Sequence, residues 1–162
     1  MKCSTCSTPC QVLLWDTGGM EQEGERNVSR GYFNKAHAVI FIYDTGDMQS
    51  LTDLQGWLKM VREYCKRRQV VLSLWGHNRG TAKNPVDIDA AQKFAAARGI
   101  PSSLVFEVCA SSGQGLVESF KAVVDSAYLM ATDPQRAEQQ TINMRSRSGS
   151  IRGGKQSTCC YN

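Results

Sequence analysis

The chain has 162 residues, of which 41% are hydrophobic and 21% are charged, a composition typical of one globular domain with an appended tail. It contains no apolar stretch of the roughly 20 residues that span a membrane, and no apolar signal segment follows Met1, so we expect an intracellular, cytoplasmic protein. The net charge of +4 lies in residues 139–162, which hold four basic and no acidic residues, and this distribution argues against a nucleic-acid partner.

The first predicted element is a strand at Val12–Trp15, which runs into Asp16 and then into two glycines, Gly18 and Gly19. In open parallel sheets, ligands collect beyond the carboxyl ends of the strands. An aspartate there can hold a metal ion, and a glycine N–H can approach an oxygen anion. The same pattern also fits an ordinary glycine turn with a capping aspartate, and this segment alone leaves both interpretations open.

Further strands and helices then alternate along the chain. Short runs rich in β-branched and aromatic residues predict strands at Ala38–Tyr43, Val70–Trp75 and Val105–Val108. Apolar residues at three- and four-residue spacing predict three helices, with faces formed by Leu51, Leu54, Leu58, Val61 and Cys65; by Ile88, Ala91, Phe94 and Ala95; and by Leu116, Phe120, Val123, Val124 and Ala127. This alternation predicts an α/β domain with a parallel sheet covered on both faces.

The composition changes after Pro134, where serine, glycine and arginine dominate and apolar residues are few. Such a segment buries too little surface to offset its ordering entropy. We therefore predict an N-terminal extension at residues 1–10, a folded domain at 11–132 and a flexible basic tail at 133–162.

The cysteines do not predict a disulfide framework, because the chain has seven of them at scattered positions. Cys3, Cys6 and Cys10 are spaced like three ligands of a zinc or iron–sulfur site. A fourth ligand is not close in the sequence, so we favour free thiols over a metal site.

Several segments together resemble the Rab branch of the Ras-like small GTPases. They are LLWDTGG, the stretch Gly31–His37 leading into VIFIYDTGD, the Trp57-Leu58 pair, Phe94-Ala95, and EVCASSG at 107–113. Their order and spacing match the family from residue 11 to about residue 130. The resemblance implies a parallel-sheet small G-protein fold of the P-loop NTPase type, here incomplete because the family's first strand, P-loop helix and second strand have no counterpart before Val12.

In the family, the first strand lies between the strands that correspond to Val12–Trp15 and Ala38–Tyr43. Losing its buried side chains, at about 1.5–3 kcal/mol each, would remove a large share of a domain's stability of about 5–15 kcal/mol. The sequence leaves open whether the two flanking strands pair directly, whether the domain is only marginally stable, or whether it needs a partner.

The resemblance implies a guanine-nucleotide switch that binds GTP or GDP with Mg²⁺. Asp16 and Gly19 match the DxxG motif, in which the aspartate supports the metal indirectly and the glycine N–H senses the γ-phosphate. If Met20 and Glu21 are an insertion, Gln22 matches the glutamine that orients the attacking water. Gln22 then lies three residues after Gly19 instead of one, and water positioning tolerates little error, so we expect impaired hydrolysis.

The base-reading motifs are only partly kept. After a one-residue slip, Asn78 and Arg79 match the Asn-Lys of the family motif, but the aspartate that accepts two hydrogen bonds from guanine is absent. In the backup loop, Ala110 matches the alanine whose N–H contacts the base, while the lysine that follows it in the family is absent. The sequence therefore predicts weak base recognition.

No phosphate-binding G-x-x-x-x-G-K-[ST] loop precedes Val12. Two other glycine spacings do not replace it: Glu25 stands where the lysine belongs after Gly24, and the segment ending in Lys155 lacks the Ser or Thr and its strand–helix context. We therefore expect no tight GTP binding. Two hypotheses remain, a Rab-like GTPase of vesicle traffic and a non-catalytic Rab-like interaction module that binds no nucleotide.

The C-terminus TCCYN places Cys159 and Cys160 next to each other, two residues from the end. This pair resembles the Rab signal for double geranylgeranylation, and the alternative is an unmodified cysteine pair. The resemblance implies attachment to the cytosolic face of endomembranes, with Rab-type effectors, an escort protein or GDI as partners. Basic residues of the tail would add about 1 kcal/mol each near an anionic leaflet.

Overall fold

The computed structural model of the protein describes residues 11–17, 33, 35–65, 70–80 and 85–132. Within this part, three parallel strands form one sheet in the order β1-β2-β3: β1 is Ala38–Asp44, β2 is Val71–His77 and β3 is Val105–Val108. Ala38 pairs with Val71, and Leu74 pairs with Val105. The predicted parallel sheet is confirmed, and each strand lies within two residues of its predicted bounds.

Three helices pack on this sheet: α1 is Met48–Tyr64, α2 is Ile88–Ala96 and α3 is Leu116–Thr132. A 3-10 turn at Ser102–Leu104 precedes β3. Asp47 and Asp87 each accept a hydrogen bond from the backbone N–H two residues later, so they cap α1 and α2. The predicted face of α1 is confirmed, because its buried residues are Leu51, Leu54, Leu58 and Val61.

The core is centred on β2, in which six of the seven residues are buried. A parallel strand with neighbours on both sides and helices on both faces buries its side chains in both directions. Ser73 is polar and fully buried, and its hydroxyl donates to the Leu104 carbonyl at 2.7 Å and accepts from the Trp75 indole N–H at 2.8 Å. The Trp75 ring meets Phe120 of α3 edge to face at 4.8 Å, which fixes α3 on the sheet.

The predicted first strand at Val12–Trp15 is wrong. Residues 11–17 have no regular secondary structure and are all exposed, with Leu13 at 72% and Trp15 at 66% of full exposure. A strand forms where a neighbouring strand satisfies its backbone N–H and C=O groups, and in the described sheet β1 pairs with β2 only. Direct pairing of residues 12–15 with β1 is therefore not observed, and Val12 and Leu14 lie beside α3 instead.

The described sheet consequently has β1 at one edge. Phe41 and Tyr43 point into the core and are almost fully buried, whereas Ile42 on the opposite face is 57% exposed. An apolar side chain thus remains open to solvent on the outermost described strand.

None of the described helices has the length and apolar character needed to cross a membrane. Residues 1–10 and 133–162 lie outside the described part of the chain. The predicted division of the chain into three segments therefore stays a prediction.

Candidate functional site

The carboxyl ends of β1, β2 and β3 lie at the same edge of the sheet, where parallel sheets bind their ligands. Three loops leave this edge, and they begin at Thr45, Asn78 and Cys109. Among the predicted site residues, Asn78 and Ala110 lie in the loops after β2 and β3.

Asn78 ties the loop after β2 to β3. Its backbone N–H donates to the Val108 carbonyl at 2.8 Å, and its side-chain N–H donates to the Glu107 carboxylate at 2.8 Å. Its side-chain oxygen accepts from the Gly80 N–H at 2.7 Å, and Gly80 adopts a left-handed φ of 72°. The amide is thus oriented by groups of its own chain, and one side-chain N–H remains for a ligand.

Ala110 donates its backbone N–H to Nε2 of His77 at 3.3 Å. This is the N–H that the resemblance assigns to the nucleotide base. Since a protonated imidazole has no acceptor, His77 makes this bond only with an unprotonated Nε2. His77 is the last residue of β2, which extends two residues beyond the predicted strand Val70–Trp75.

The loop after β3 closes on itself. The Cys109 N–H donates to the Gln114 carbonyl at 3.0 Å, and the Gly113 N–H donates to the Cys109 carbonyl at 2.9 Å. The Cys109 sulfur lies 3.2 Å from the Ser111 hydroxyl, and hydrogen bonds from Ser111 and Ser112 lower the pKa of this thiol to about 7. The partly exposed Cys109 is therefore about half thiolate near neutral pH.

Asp44 is the last residue of β1 and lies at the same carboxyl-terminal edge of the sheet. Its carboxylate accepts from the Gly46 N–H at 2.8 Å and forms an ion pair with Arg79. These contacts, the Gly46 bond foremost, lower the pKa of Asp44 below its usual value. Arg79, which replaces the family's lysine, is thus directed toward Asp44, although 65% of its side chain is exposed.

The remaining predicted site residues lie in the segment 11–17 or outside the described residues. Asp16 lies in the exposed, irregular segment 11–17. Gly19, Gln22, Cys159 and Cys160 lie outside the described residues, as does the cysteine triplet near the N-terminus. The described part of the chain contains no cluster of three His, Cys, Asp or Glu side chains that could hold a metal ion.

Sequence reasoning missed His77 and Asp44 as members of this edge. The one local signal was their position, since Asp44 is the first residue after an apolar run that forms a strand and His77 is the second residue after another. Their contacts depend on the register between strands, because His77 and Ala110 are 33 residues apart.

Residues 1–129 match the sequence profile of the Ras family. The chain is 29% identical to the Ras-related protein RABD2b of Arabidopsis thaliana over 152 residues, covering 93% of this chain and 71% of that protein. It is 30% identical to the GTP-binding protein YPTM1 of Zea mays over 155 residues, covering 93% and 72%. Identity to the Ras-related protein Rab-26 of Rattus norvegicus is 30% over 113 residues, covering 70% and 42%.

Proposed function

The chain belongs to the Ras family, and from this membership we propose that it is a Rab-type protein of intracellular membrane traffic with an impaired guanine-nucleotide pocket. Members of this family bind GTP or GDP with Mg²⁺. The names of the relatives RABD2b and Rab-26 support the Rab assignment.

One observation carries the proposal of impairment, namely the hydrogen bond from the Ala110 N–H to His77. A guanine base would have to displace the imidazole before it could accept from this N–H. Guanine selectivity further needs a carboxylate that accepts from the base, and the sequence after Asn78 and Arg79 continues with Gly80 and Thr81 instead. The described residues thus keep the frame of a base pocket but do not fit the base.

The phosphate side supports the same proposal. Asp16, the proposed indirect Mg²⁺ ligand, lies in an exposed irregular segment. We also propose that hydrolysis is impaired, because Gln22, the candidate for orienting the attacking water, lies three residues after Gly19 instead of one.

The chain would then act through its surface. Rab-type effectors, an escort protein or GDI are the proposed partners. We also propose that Cys159 and Cys160 carry geranylgeranyl groups: each thiolate attacks the first carbon of geranylgeranyl diphosphate, a thioether forms and diphosphate leaves. Two chains are needed because one lipid gives only marginal membrane binding, and the result is peripheral attachment to the cytosolic face of endomembranes.

Titration of the full chain at micromolar concentration with a fluorescent GDP analogue and Mg²⁺ tests the impaired pocket. We expect no saturable signal. Saturable, stoichiometric binding that is lost in Asp16→Ala would show a working nucleotide switch and overturn the proposal. Intact-mass measurement of the protein purified from eukaryotic cells tests the lipids, since two geranylgeranyl groups should be present and should disappear when both cysteines are changed to serine.

A further inference from the structure

An apolar groove separates the segment 11–17 from the first half of α3. It encloses about 290 Å³ and is lined by Val12, Leu14, Leu116, Val117, Phe120 and Val124. Two of these side chains are largely open to solvent, Leu14 at 68% and Val117 at 67%. Both walls of the groove therefore present apolar surface to whatever occupies it.

The lining indicates the chemistry of the occupant. Small-molecule sites usually add a few placed polar groups that fix the orientation of the ligand, but all six lining side chains here are aliphatic or aromatic. Such a wall gains free energy from any buried hydrocarbon and offers no directional contact. It fits an unfunctionalised hydrocarbon chain better than a nucleotide or a polar peptide.

The chain that follows α3 is long enough to bring such a hydrocarbon to the groove. Phe120 precedes Thr132 by 12 residues on α3, which is about 18 Å at the rise of a helix. Twenty-six residues lie between Thr132 and Cys159, and a flexible linker of that length would have a root-mean-square reach of about 28 Å. Because reach and distance are similar, the tethered group has an effective concentration near the millimolar range.

We propose that the groove between residues 11–17 and α3 binds a geranylgeranyl chain carried by Cys159 or Cys160 of the same molecule. This inference rests on the lipid modification proposed above. With one chain held in the groove, a single lipid remains to contact the bilayer, and one lipid binds only marginally. The groove thus controls how much of the protein is on membranes.

The test uses the full chain assembled by ligating a C-terminal peptide that already carries both geranylgeranyl groups, so it does not depend on modification in cells. Partition is measured on phosphatidylcholine vesicles. Because their headgroups carry no net charge, the added carboxylate of a variant is not repelled by the membrane surface. Leu14→Glu and Val117→Glu each place a carboxylate in one wall of the groove. We expect each to raise the vesicle-bound to free ratio about tenfold, because the released chain inserts into the bilayer.

Leu13→Glu is the matched control, since Leu13 is adjacent, carries the same side chain as Leu14, is 72% exposed and does not line the groove. Its partition should stay within about twofold of the parent protein. Equal partition for the Leu13 and Leu14 variants, or no change in any variant, overturns the proposal. Circular dichroism establishes that the variants are folded. Because Leu14 and Val117 lie on opposite walls of the groove, their two variants test the proposal independently.

Sedimentation of the lipidated parent protein separates the sources of the bound chain. A monomer at all concentrations supports binding within one molecule, whereas a dimer that the Leu14 and Val117 variants dissociate would mean that the lipid comes from a second copy and would overturn the proposal. Absence of geranylgeranyl groups in protein from cells refutes the proposed modification alone, and the outcome with ligated protein is unaffected by it.

Discussion

Two regions of the molecule match motifs of the same family but differ in structure. The loops after β2 and β3 match its base-reading motifs, and the segment 11–17 contains the aspartate of its DxxG motif. Asn78 and Ala110 in the loops, and His77 at the end of β2, form hydrogen bonds of 2.7–3.3 Å with groups of the same chain. In the segment 11–17, Asp16 lies in exposed backbone without regular structure. The two regions thus differ in secondary structure, because the loops follow strands that pair within the sheet, whereas residues 11–17 form no strand.

The largest expected effect is on the free energy of unfolding, compared between a substitution in the sheet and one in the segment 11–17. Leu74→Ala removes a fully buried side chain from the central strand, so we expect a loss of about 2–5 kcal/mol in the free energy of unfolding. Leu13→Ala removes a leucine that is 72% exposed, and the change should stay within about 0.5 kcal/mol. Urea denaturation measures both. A similar loss for both variants would mean that the segment 11–17 is as firmly packed as the sheet.

The next largest effect is expected from two substitutions that should restore recognition of the guanine base. Thr81→Asp places a carboxylate three residues after Asn78, at the spacing of the family motif, and His77→Ala releases the Ala110 N–H. Hydrogen bonds to a charged group contribute about 1.5–3 kcal/mol, so the double variant should bind guanosine at least tenfold more tightly than adenosine. The NMR shift of the Ala110 amide under millimolar nucleoside measures this. Thr81→Asn with His77→Ala is the control, and equal preference in both double variants would contradict the proposed cause of impairment.

A smaller effect tests how firmly the loop after β2 is held. Asn78→Ala removes the side-chain bonds to Glu107 and to the Gly80 N–H, so we expect a loss of about 1 kcal/mol of stability and faster hydrogen exchange at Gly80. Glu107→Gln keeps an acceptor oxygen and should lose less. If the Gly80 amide exchanges at the same rate in the parent protein and in the Asn78→Ala variant, the Asn78 side chain does not hold this loop in place.

The smallest effect is on the reactivity of Cys109. Because its pKa is lowered to about 7, the reactive thiolate forms as pH rises through 7, and the rate of alkylation by iodoacetamide should reach half its maximum there. Ser111→Ala removes the hydrogen bond that lowers the pKa of this thiol most, so the midpoint should move to higher pH. Peptide mass spectrometry measures the modification at Cys109. A midpoint that is the same with and without Ser111 would show that this hydroxyl does not stabilise the thiolate.

Local periodicity was enough to predict most of the fold. The runs that became β1, β2 and β3, and the helix face of Leu51, Leu54, Leu58 and Val61, are properties of short segments. The prediction failed at Val12–Trp15, because an apolar run becomes a strand only beside a partner strand. For the candidate site, the resemblance located Asn78 and Ala110, but it could not show that His77 occupies the Ala110 N–H, which depends on how β2 and β3 are placed relative to each other.

In the part of the chain that the structure describes, β1 is the edge strand of the sheet, and this position has a consequence for any cell that makes the protein. A strand with an apolar outer face, such as Ile42 provides, is a template onto which other extended chains can add. Newly made copies compete for that template with each other and with unrelated unfolded proteins, so the yield of dispersed protein should fall as synthesis rate increases. Chaperones that shield extended apolar segments would then set how much of it accumulates.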